Sequence, residues 1–81
     1  MRLYRYTAVL MTILVFKTSV KYKKDIKLLA PVLNTLPANV TWHFDLEDPD
    51  RILRVETKED VAAHVTEALQ LNGFACEELV D

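Results

Sequence analysis

Two imidazoles, His43 and His64, and one thiol, Cys76, are the side chains of this 81-residue chain with the widest chemical reach. Imidazole nitrogen and thiolate sulfur are the donors of zinc and of softer metals, so these three are the alternative ligand set to weigh. No further ligand at a metal-site spacing accompanies them, and the two histidines read as ordinary polar positions. A single cysteine can form neither an intramolecular disulfide nor the thiolate cluster of a structural zinc site. A reactive thiol also needs exposure and a lowered pKa, whereas Glu77 and Glu78 follow Cys76 directly and disfavour a thiolate. Cys76 is therefore expected to behave as a small apolar residue.

Charged clusters come next. Asp45, Glu47, Asp48 and Asp50 could offer hard oxygens to Ca²⁺, but they lack a ligand-spacing motif and the glycine that shapes such loops. A solvated turn is the expectation. Lys21, Lys23, Lys24 and Lys27 could attract an anion or a partner, and read more simply as a solubilising helix start. No Ser-His-Asp or Cys-His arrangement has supporting context, and the only glycine, Gly73, belongs to a helix end and not to a phosphate loop. The sequence thus predicts no catalytic residue, no cofactor and no enzyme.

Composition narrows the partners. The formal net charge is −2, from 10 basic and 12 acidic residues, without the basic footprint of nucleic-acid binders. Half the residues are apolar, so the chain can fold. A lone unpaired cysteine fits a reducing compartment, and a cytoplasmic location is expected.

The N-terminal stretch MRLYRYTAVLMTILVFKTS has the outline of a secretory signal, with Arg2 and Arg5 before an apolar run. That run is far short of the ~20 residues of a membrane span, so no membrane is predicted. The stronger reading makes Ile13 to Val20 a central strand, which cleavage would delete. Residues 1–10 are then an N-terminal extension, Met11 a candidate natural start, and residues 11–81 one domain.

The elements follow from periodicity. Leu14, Phe16 and Val20 share one face of the first strand, Ile13 and Val15 the other. Ile26, Leu29, Val32 (or Leu33) and Leu36 mark a helix over 22–36, with a kink or broken turn expected at Pro31. Val40 to Leu46 alternates with Val40, Trp42, Phe44 and Leu46 inward, which predicts a buried Trp42. A turn at Glu47–Asp50 leads to a second hairpin strand, Ile52 to Glu56. Thr57 is the expected N-cap of a second helix over 58–72, with Asp60 in the capping-box position and Val61, Val65 and Leu69 buried. Gly73 should end it in the left-handed region before a last strand, Phe74 to Val80. The order β, α, β, β, α, β predicts an α+β, ferredoxin-like sandwich: a four-stranded antiparallel sheet with both helices on one face.

Three stretches carry a resemblance across this frame: Leu29-x3-Leu33-x2-Leu36-Pro37, Phe44-Asp45-Leu46-Glu47 with Ile52-Leu53-Arg54-Val55, and Ala68-Leu69-x3-Gly73-Phe74. Their order and spacing, from about Ile13 to Val80, resemble the heavy-metal-associated domain of soluble copper chaperones and metal-transporting ATPases. The resemblance implies a Met-x-Cys-x-x-Cys copper loop before the first helix. Aligning the helix leucines puts Val20 on the Met position and Tyr22 and Asp25 on the thiolate positions. Neither supplies soft sulfur, and Lys21, Lys23 and Lys24 add positive charge around them. The scaffold is expected without its metal site.

The sequence thus points to a non-enzymatic binding module on this scaffold. The alternative is a heavy-metal chaperone-like protein with ligands from Cys76, His43, His64 or a second subunit. A partner surface, or one for self-association, is expected on the open sheet face, where Ile13, Val15 and Ile52 should stand beside Thr41, His43 and Arg54.

Overall fold

The computed structural model of the protein describes residues 6–8, 11–37 and 40–80. Along the chain come β1 (Tyr6–Ala8), β2 (Met11–Thr18), α1 (Lys23–Leu33), β3 (Thr41–Asp45), β4 (Ile52–Thr57), α2 (Ala62–Leu71) and β5 (Cys76–Glu78). Every strand pairing is antiparallel. β2 is central, with β4 on one side and β3 beyond it. The other edge of β2 is shared: β5 lies against Phe16–Thr18 and β1 against Met11–Ile13. The order β5-β2-β4-β3 is the ferredoxin-like arrangement expected. β1, which lies within the stretch read as an extension, is an addition to it. It is a consequence of length, because β2 has eight residues and β5 only three, so part of the edge is left open.

Alternation decides what is buried. Leu14 and Phe16 of β2 stand beside Val55 and Leu53 of β4, and these beside Trp42 and Phe44 of β3. With Leu29 and Leu33 of α1 and Val65 and Leu69 of α2 they form one core, so both helices cover the same sheet face. Leu33, fully buried, takes the place the periodicity left open with Val32, which is half-buried.

α1 runs through Pro31 and stops two residues later. Beyond it the backbone tightens, with Thr35 N–H donating to the Val32 carbonyl at 3.1 Å and Leu36 N–H to that of Leu33 at 3.3 Å. The proline costs the helical bond to the Lys27 carbonyl, but only in the last turn, and the helix shows no break there.

The start of α2 departs from expectation. Thr57 closes β4 and is fully buried; its hydroxyl accepts the Glu59 N–H at 3.1 Å. Asp60 then accepts the Ala62 N–H at 3.0 Å, and the helix begins at Ala62 with Val61 as its N-cap residue. Two short side-chain turns thus use the residues that a capping box would have used. At the other end Gly73, at φ +88°, is the left-handed residue expected. Phe74 N–H donates to the Leu69 carbonyl at 2.9 Å and Gly73 N–H to that of Gln70 at 3.0 Å, the paired bonds of a Schellman motif.

Trp42 is half-buried and not enclosed as expected. β3 is an edge strand, so its indole leans over the rim of the core. Its Nε1–H donates to Asn34 Oδ1 at 2.9 Å, and its ring meets Phe44 edge-on at 5.9 Å and 73°. An indole N–H needs a partner or water, and a position at the rim provides one.

Candidate functional site

The end of the sheet where β2 runs into α1 is built by two small hydroxyl residues. Thr18, buried, donates through Oγ1 to the Arg51 carbonyl at 2.6 Å and accepts the Val20 N–H at 3.2 Å. Ser19 N–H donates to the Ala75 carbonyl at 3.1 Å, and Ser19 Oγ accepts the Ala75 N–H at 2.8 Å. These bonds tie the β2–α1 loop to the β3–β4 turn and to the α2–β5 loop. Neither residue stood out in the sequence. Their only signal is two hydroxyls at the end of an apolar run.

On this platform lie the three positions that the resemblance aligns with a metal motif. Val20 is fully buried in the core. Tyr22 is the extended N-cap residue of α1, 58% exposed, with the Lys24 ammonium 5.4 Å from its ring centroid. Asp25 Oδ2 accepts the Tyr22 backbone N–H at 3.2 Å. One carboxylate oxygen is thus occupied in starting the helix, and an acid in the first turn suits the helix dipole. Lys21, Lys23, Lys24 and Lys27 are all exposed around it. A phenol and a carboxylate among ammonium groups do not fit a soft monovalent cation.

Cys76 lies on β5 opposite Thr18, buried in the core. Burial pushes its thiol up to about 11, against the smaller opposing effect of a hydrogen bond with Thr66. A protonated thiol is neither a nucleophile nor a metal ligand. His43 is exposed on β3 opposite Arg54. His64 is exposed on α2, beside the groove formed with Val32, Leu36 and Leu71. His43 and Arg54 are on the sheet face away from the helices, so the two imidazoles lie on opposite sides of the sheet. Among the described residues no group of three or more His, Cys, Asp or Glu is placed to hold a metal ion.

The acidic hairpin end is a set of local turns. Asp48 and Arg51 close a β-turn at 2.9 Å with Pro49 second in it, one residue later than the Glu47–Asp50 turn expected. Asp45 Oδ1 accepts the Glu47 N–H at 3.2 Å, and Asp48 Oδ1 the Asp50 N–H at 2.8 Å. Asp50 also pairs with Lys17 at 3.7 Å.

The open sheet face differs from the patch expected. Val15 is only 8% exposed and Ile52 5%, while Ile13 is half-buried. Ile52 lies between Lys17 and Asp45 in the ladders, and Val15 beside Arg54. What this face presents is mainly Lys17, Thr41, His43, Asp45 and Arg54, all exposed, with the half-buried Glu56 beside Thr41. Among the described residues the exposed large apolar side chains Tyr22, Leu28, Leu71 and Val80 lie elsewhere, and Met11, at the start of β2, falls by alternation on the face of Ile13 and Val15. No helix among the described residues is long and apolar enough to cross a membrane. Comparison with protein-family models, with curated proteins and with solved structures returned no match to this chain.

Proposed function

We propose that the chain is a small non-enzymatic binding module on a heavy-metal-associated-like scaffold whose metal loop has become structural. The observation that carries this reading is the bond from Tyr22 N–H to Asp25 Oδ2 at 3.2 Å. Of the two positions aligned with a thiolate pair, Asp25 thus gives its side chain, and Tyr22 its backbone N–H, to the start of α1. Burial of Cys76 and the separation of His43 from His64 weigh against the alternative, a chaperone-like protein with unconventional ligands. A cytoplasmic location belongs to the same proposal, supported by a lone thiol that no disulfide protects. Protein partners are the ligands proposed, with neither nucleic acid nor membrane among them.

Cu(I) titration of the reduced protein against a chromophoric competitor tests the reading. The wild type is expected to yield its copper to the competitor. Tyr22→Cys with Asp25→Cys is expected to hold one equivalent, since the pair restores Cys-x-x-Cys at the start of a helix. Stoichiometric, competitor-resistant binding by the wild type overturns the proposal. A folded double variant that gains nothing overturns the alignment of the loop.

A further inference from the structure

The two edges of the sheet differ. On one side β2 is covered by β5 and β1 together. On the other, β3 pairs only with β4, and among the described residues no strand lies along its outer edge. Exposed strand edges offer unpaired N–H and C=O groups to another strand, and proteins usually block them with lysine, proline or a bulge. β3 has none of these. Its sequence is Thr-Trp-His-Phe-Asp, and its register with β4 runs unbroken from Thr41↔Glu56 to Asp45↔Ile52.

We propose that β3 pairs antiparallel with β3 of a second copy of this chain, about a two-fold axis at His43. This rests on the reading of the chain as an interaction module and names its partner. In that register every residue of the strand meets a counterpart on its own face. Thr41 stands opposite Asp45 of the second copy, where a hydroxyl meets a carboxylate. Trp42 stands opposite Phe44 of the second copy on the helix-covered face, and aromatic cross-strand pairs are among the stabilising ones. Trp42 is half-buried in the single chain, so it has surface left to cover.

Charge chooses the orientation. Asp45 is the one acidic residue of β3. Parallel pairing in register sets the two Asp45 carboxylates side by side, which is unfavourable. The antiparallel register separates them by four residues along the strand, roughly 13 Å. The outcome is one sheet running β2-β4-β3-β3-β4-β2 through both copies, with all four helices on one face. Five residues from each copy make a small interface, so the dimer is weak and forms as concentration rises.

Sedimentation equilibrium of the reduced full chain, from micromolar to millimolar, tests this. The wild type is expected to pass from monomer to dimer. His43 is exposed, so His43→Lys and His43→Glu should fold, which circular dichroism checks, yet each sets two like charges face to face at the axis. Each alone should raise the dissociation constant about fivefold or more. Mixing the two variants should restore association as a heterodimer. A wild type that stays monomeric to millimolar concentration overturns the proposal. So do charge variants that dimerise as well as the wild type, or a mixture that associates no better than its components. Copper binding reads out the functional proposal separately, so either can fail without the other.

Discussion

Trp42 shows how one side chain can be well placed without being enclosed. Full burial would make Trp42→Ala cost ~3–5 kcal/mol. With one flank in solvent, the expected loss is about 2–3 kcal/mol, read from chemical denaturation. Asn34→Ala should cost under about 1 kcal/mol, because water can take over the exposed indole N–H. A double-mutant cycle on Asn34 and Trp42 isolates that hydrogen bond. If Trp42→Ala loses less than about 1 kcal/mol, the T-shaped contact with Phe44 contributes little to the fold.

At the scale of elements, local chemistry was the legible part. Gly73 and Pro49 could be placed because each has a backbone preference that acts within four or five residues. For Gly73→Ala no atom lies within 4 Å of the added Cβ, so the loss is backbone strain alone. About 1 kcal/mol is expected, visible as a lower Tm. A neutral substitution would mean that the Schellman turn does not require its φ of +88°. Tertiary choices were not legible in the same way. Thr57 had every attribute of a helix cap, but β4 extends far enough to bury it. Leu33 and Val32 were equivalent by periodicity until the sheet selected one. Tyr22 and Asp25 were found only by aligning leucines, and their hydrogen bond could not be read from residue types. β1 was missed because its pairing depends on β5 being short, a relation between segments almost seventy residues apart.

For the whole molecule, Cys76 links stability to alkaline pH. Its pKa is raised from 9.0 to about 11 in the folded state, so the folded protein holds the proton more tightly than the unfolded chain. The contribution is fully present below pH 9.0 and is lost as pH rises through about 11. Stability of the wild type should therefore fall across that window more steeply than that of Cys76→Ala, compared by denaturant midpoints at each pH. Parallel slopes would show that the thiol is not desolvated. At neutral pH the same burial should keep Cys76 unreactive to iodoacetamide until the protein unfolds.

The shared edge of β2 also bears on connectivity. β5 and β1 run in the same direction, end to end. Leu79 N–H donates to the Val15 carbonyl at 2.8 Å, and Tyr6 is paired with Ile13, two positions further along β2. Those positions are only about 7 Å apart. In space the last strand thus points into the first, as though one long strand had been cut. A circular permutant that joins Val80 to Tyr6, with new ends opened in the exposed 58–60 turn, would keep every ladder of the sheet. The order in which ribosomes deliver these strands is thus separable from the sheet they make.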